Sequence, residues 1–174
     1  QQPKQKYFNA SAGIEFKQQD NSYSGRYLIP NYKLYAYGAY FIEKFEKNKW
    51  QLQTGLRYDK KNINTTRLLS NGAEYNNYKF NFSTLAGSFS ADYKWSSNLK
   101  LNALLSLASR APEVNELLTN AVHHGNGTFE QGNINLKPEK SVNLIANAVY
   151  QNTPGWFKAE LNVYNNLIND FIYE

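Results

Sequence analysis

Along residues 99–108, LKLNALLSLA, apolar and polar residues change places at almost every step. Leu99, Leu101, Ala103, Leu105 and Leu107 fall on one face, against Lys100, Asn102, Leu104, Ser106 and Ala108 on the other. A period of two is the signature of an extended strand, because a helix would scatter these residues around its circumference. WQLQTGLRYD repeats the pattern with Trp50, Leu52, Thr54, Leu56 and Tyr58 on one face, and VNLIANAVYQ, WFKAELNVYN and YFNASAGIEF follow it. Residues 33–45 and 80–95 are strand-like with blurred phase, which predicts a bulge near Thr84 or Gly87. EVNELL, residues 113–118, is too short to be expected as a helix. The expectation is an all-β chain of about seven strands.

The connections sort into two classes. EKNK, SSN and NTPG are tight turns rich in turn-forming residues. Between them lie long links, at residues 17–32, 62–78 and 109–141. Short and long alternate strictly, so an antiparallel up-and-down meander puts every tight turn at one end and every long link at the other. Large transmembrane β-barrels have this asymmetry. All three tryptophans, Trp50, Trp95 and Trp156, sit beside the tight turns, where a membrane interface would gather them into a girdle. Tyr58, Phe80 and Tyr173 are expected near the opposite interface.

Composition excludes more than it selects. A mean hydropathy of -0.67 marks a water-soluble chain by the usual scan, but a barrel that alternates lipid-facing and lumen-facing residues averages to the same value. No run approaches the ~18 apolar residues of a membrane helix. The excess of 19 Lys and Arg over 14 Asp and Glu is scattered, so nucleic acid is not an expected partner. With no Cys, disulfide frameworks and thiolate metal sites are excluded.

The long third link carries the distinctive motifs. Ser109-Arg110-Ala111-Pro112 leads to Asn115-Glu116-Leu117; GNINLKPEKS occupies residues 132–141; and VYNNLINDFIY occupies residues 163–173. Together with GLRYD at residues 55–59, these resemble the TonB-dependent outer-membrane receptors, which carry "FRAP…NEL", "GNPxLKPExS" and "YNxxIxDxI" segments in this order. Ser109 and Ile134 depart from the usual aromatic and proline. The resemblance implies a barrel of about 22 strands around a plug, in the Gram-negative outer membrane and in contact with its lipid. It implies import of a scarce ligand such as a ferric siderophore or other metal complex, powered through the TonB energy-transducing complex. Seven strands cannot close such a barrel. Plug, TonB box and terminal aromatic strand are all missing from the sequence, and the opening QQPKQK reads as a cut. Residues 1–174 are therefore expected to be an internal piece of the barrel's later half.

Residues of the long link are the candidate ligand contacts: Arg110, Glu116, His123, His124 and Glu130. Arg110, Asn115, Glu116 and Glu139 read first as loop anchors, and Arg57 and Asp59 as partners of a plug or of neighbouring strands. Adjacent histidines on a strand point to opposite faces, and no third ligand stands at metal spacing, so the sequence assigns no metal site and implies no cofactor. Ser106, Ser109, Glu113 and the histidines form no nucleophile elbow, so no catalytic residue is expected. Asn-x-Ser/Thr matches come cheaply in an Asn-rich chain. Two other readings fit the alternation: a soluble lectin-like β-sandwich binding through its long loops, and a small outer-membrane enzyme barrel.

Overall fold

The computed structural model describes residues 7–22, 29–68, 75–123, 125 and 127–173. Its elements are β1 (Phe8–Asn21), β2 (Tyr32–Lys47), β3 (Trp50–Leu68), β4 (Tyr75–Lys94), β5 (Leu99–Arg110), α1 (Val114–Leu118), β6 (Asn120–His123), β7 (Thr128–Gln131), β8 (Glu139–Gln151) and β9 (Lys158–Asn169). Seven of the strands form one antiparallel sheet in the order β1-β2-β3-β4-β5-β8-β9, and β6 and β7 pair as a separate hairpin. This is the expected meander, with the hairpin and a short helix added inside the third long link. Among the described residues no helix is long and apolar enough to cross a membrane, but the strands of the main sheet run from 12 to 20 residues, and about 9–11 suffice to span a bilayer.

Register gives each face its character. On the outer face, rows such as Phe45–Leu52–Ala91, Phe41–Leu56–Gly87 and Ala39–Tyr58–Leu85 are apolar from strand to strand, and Leu101, Leu105, Leu144, Ala146, Leu161 and Val163 continue them across β5, β8 and β9. From Trp50 to Tyr58 the band extends roughly 26 Å along the strand. Leu56 is 58% exposed and Leu161 65%, so among the described residues no second layer covers this face, as a β-sandwich would require. Glu43, between Ala10 and Thr54, puts a carboxylate in the middle row of the band, whereas Lys47, opposite Trp50, and Lys140, opposite Ser109, stand at its margins. The inner face carries Gln51, Gln53, Arg57, Asp92, Asn102, Asn147 and Asn162.

At the tight-turn end, Trp50 opens β3 with its ring 4.4 Å from Tyr93, and Tyr93 meets Trp95 edge-on at 6.1 Å. Trp156 lies beside Phe157 at 6.1 Å. The girdle is present. At the far end the expectation needs correcting for Phe80, which lies on the inner face, parallel to Tyr78 and Phe82 at 6.0 and 6.1 Å. Tyr58 remains on the outer face, and Tyr173 is exposed beyond β9.

The bulge is not there either: β3 and β4 pair one for one from Trp50↔Tyr93 to Leu68↔Tyr75, straight through Thr84 and Gly87. The phase blurs for another reason. Near the tight turns β4 presents apolar residues outward (Leu85, Phe89, Tyr93), and farther along it presents them inward (Tyr78, Phe80, Phe82). The link expected over residues 62–78 is consequently mostly strand. About eight residues of β3 stand beyond the spanning length, and they form an extension whose buried side is the inner one. Leu34, Ile63, Val114, Leu117 and Leu118 make its core, flanked by Ile29, Tyr32, Phe80, Phe82 and Leu136.

Candidate functional site

The core of the extension exists because part of the third link, Pro112 with α1 and again Leu136, folds back over the inner face. Pro112 cannot donate to a sheet ladder and ends the strand run, and the chain then turns into α1. This corrects the expectation that EVNELL would not be helical: the five residues hold as one turn because Val114, Leu117 and Leu118 are buried against Leu34 and Ile63. The Glu113 N–H donates to Glu116 Oε2 at 2.7 Å, satisfying a backbone donor at the helix start. At the other end, the Gly132 N–H donates to Thr119 O (2.7 Å) and the Asn133 N–H to Glu116 O (2.9 Å). Gly132 lies so close to the helix end that a Cβ would meet Leu118 N at 2.5 Å and Leu117 C at 2.6 Å. Only a residue without a side chain fits there.

Four separated motifs meet beside this helix. Arg110 Nη1 donates to Glu116 Oε1 at 2.7 Å, and Nη2 lies 3.6 Å from Glu139 Oε2. Glu139 Oε2 also accepts from the Ile172 N–H at 3.0 Å. SRAP, NEL, LKPE and NDFI are thus tied by one guanidinium and two carboxylates. From β3, Lys61 Nζ donates to Pro112 O (3.0 Å) and pairs with Glu113 (2.8 Å). Glu116 and Glu139 are mostly buried, at 10% and 18% side-chain exposure, whereas Arg110 is 42% exposed, so solvent screens these contacts in part.

Below the anchor the inner face carries a second charged group. Glu15, Gly38 and Asp59 lie side by side on β1, β2 and β3. The Arg57 guanidinium reaches over Gly38, with Nη2 2.6 Å from Asp59 Oδ1 and 2.9 Å from Glu15 Oε2. A Cβ at position 38 would meet that guanidinium at 2.6 Å, so the glycine makes room for the ion pair. Asn102 donates to Asp92 (3.0 Å) and Asn147 to Asn162 (2.6 Å) on the same face. The wall is polar, hydrogen-bonded and suited to a watery lumen.

Of the residues expected to touch ligand, the structure brings Arg110 and Glu116 together, as each other's partners. Glu130 sits on β7 opposite Ala121, and His123 ends β6 opposite Thr128. His124 lies outside the described residues. No group of three or more His, Cys, Asp or Glu among the described residues is arranged to hold a metal. Sequence reasoning missed Lys61 and Glu15; LRYDKK gave no sign that Lys61 would meet Pro112 from 51 positions away.

The comparisons agree with this architecture. Residues 4–174 match the family model described as TonB dependent receptor-like, beta-barrel. No curated protein matches the chain. Among solved structures it resembles the copper transporter OprC, with TM-score 0.67 and 18% identity over 94% of this chain and 28% of that one. It also resembles a double mutant of the Serratia marcescens hemophore receptor HasR in complex with its hemophore HasA and heme, with TM-score 0.72 and 18% identity over 94% of this chain and 30% of that one. The chain thus spans under a third of the length of either neighbour. Members of the matched family lie in the outer membrane of Gram-negative bacteria. An apolar outer band, a polar inner wall, tight turns at one end and a loop folded inward at the other, over a family match of nearly full length, place this chain in the TonB-dependent receptor β-barrel family.

Proposed function

We propose that the chain is a wall segment of an energy-coupled importer, which captures a scarce metal complex outside the cell and passes it inward with energy drawn through TonB. The observation that carries this reading is the third long link: its helix α1 packs over the inner face through Val114, Leu117 and Leu118, with the β6–β7 hairpin following directly in the chain. A loop so placed lies on the path of anything entering the lumen. A ferric siderophore is the first candidate cargo. The structural neighbours widen the choice, since one is a copper transporter and the other a hemophore receptor in complex with its hemophore and heme. Arg110, Glu116, His123, His124 and Glu130 are the proposed contacts. For Arg110 and Glu116 the contact is indirect, through the loop they hold.

The test is deletion of the gene in its source organism, followed by uptake assays with a ferric siderophore, heme and copper, with and without a protonophore. Uptake of one of them should fall to background in the deletion strain, return on complementation, and stop when the protonophore is added. Unchanged uptake of all three would overturn the metal-complex reading. Uptake indifferent to the protonophore would overturn the energy coupling.

A further inference from the structure

In the middle of the outer band stands a carboxyl group that lipid cannot satisfy. Glu43 lies between Ala10 and Thr54 in its row, and between Phe41 and Phe45 along its own strand. Along β3, Trp50 closes the band on one side of Thr54 and Tyr58 on the other, each roughly 13 Å away. A glutamate's short stem bridges neither distance, so its carboxyl stays among hydrocarbon instead of reaching the headgroups. Glu43 is only half-buried, so a surface laid against the band can touch it. Within the chain it finds no partner among the described residues. Thr54, beside it, donates its hydroxyl to Ser88 O at 3.2 Å. Lys44, the next residue, faces inward and pairs with Glu46 at 2.8 Å. No described residue gives Glu43 a hydrogen bond or an ion pair.

An ionisable group inside a bilayer is costly, and such groups characteristically pair with another polar or charged group. Acyl chains offer no donor. The partner therefore has to come from protein that enters the bilayer beside the barrel. A carboxylate calls for a cation, and their attraction is strong where water is scarce. A second copy of this chain does not supply one: among the described residues the cations of the band are Lys47 and Lys140, both at its margins. Two copies meeting at Glu43 would set carboxylate against carboxylate. Ala10 and Thr54, being small, leave room on either side for a longer basic side chain. We propose that the lipid-facing surface around Glu43 docks a membrane-embedded protein that presents a lysine or arginine at mid-bilayer depth. Alone, the barrel bears an uncovered charge; with its partner, the charge is neutralised. This surface faces away from the lumen and serves the barrel whatever its cargo.

The whole receptor, labelled with a fluorescent donor in bicelles, is titrated with acceptor-labelled model transmembrane helices of leucine and alanine. One helix carries a single central lysine, a second carries leucine there, and a third carries its lysine at headgroup depth. A polar contact inside a bilayer adds about tenfold in affinity, so the central-lysine helix should bind about tenfold more tightly than either of the others. E43Q should bring all three to the same affinity. E43D should keep most of the preference, and so should E46Q, whose carboxylate lies on the inner face. Heat-modifiable gel mobility shows that each variant is folded. Equal binding of the three helices by the native receptor, or an undiminished preference in E43Q, overturns the proposal. Self-association of the native receptor that E43Q abolishes, seen by sedimentation, would make a second copy the occupant and overturn it as well.

Discussion

Arg110 and Glu116 show how a side chain can look like a ligand contact in a sequence and act as a fastener in the fold. A charged residue in a long link has the same composition whether it faces solvent, cargo or another residue of the same loop. Only the 2.7 Å contact between the two tells them apart. Because Glu116 also accepts from the Glu113 N–H, Glu116→Ala should cost about 1–3 kcal/mol, the range for stranding buried polar partners. In intact cells bearing the whole receptor, residues 111–138 should then be cut by added protease several times faster, and Glu116→Gln should recover part of the protection. A second prediction concerns Glu43. A carboxylate in the middle of the lipid-facing band is unfavourable, so Glu43→Gln should raise the thermal unfolding midpoint of the receptor in bicelles. A lowered midpoint would mean that another protein surface covers this residue.

Helix α1 is too short to persist alone and holds because its apolar residues are covered. Leu117 is completely buried, and Leu117→Ala should cost about 2–5 kcal/mol. Hydrogen exchange should report the loss within residues 111–138 and leave β5 and β8 protected. Protection lost equally across the sheet would mean that helix and barrel wall unfold as one unit. The elements also show where the alternation misleads. In β4 a change of apolar face midway along the strand imitates a bulge, because a one-residue slip and a reversal of the buried side shift the phase alike. The tight turns and the tryptophan girdle were legible because they depend on neighbours within a few positions.

At the scale of the whole molecule, the sheet is unfinished. Among the described residues nothing covers the outer face, and β1 and β9 each end the sheet with an unpaired edge. Exposed apolar faces and unpaired strand edges drive association. Residues 1–174 expressed alone should sediment as large aggregates in buffer and disperse when detergent is added, as analytical ultracentrifugation would show; a monodisperse 20.0 kDa species in plain buffer would contradict the orientation of the faces. In the complete receptor, Leu105→Arg on the lipid face should destabilise by about 2–4 kcal/mol. Ser106→Arg, its inward-facing neighbour, should cost much less, since water can reach it.

By itself the sequence determined the strands, their up-and-down order, which end carries the tight turns, and the family, because period-two alternation, turn chemistry and short motifs are all local. Tertiary structure alone decided which face of the extension is buried, that the third link turns inward, and that Arg110 meets Glu116 and Glu139 while Lys61 reaches Pro112. Those outcomes depend on what covers each face. The covering segment lies dozens of residues away, where no local pattern announces it.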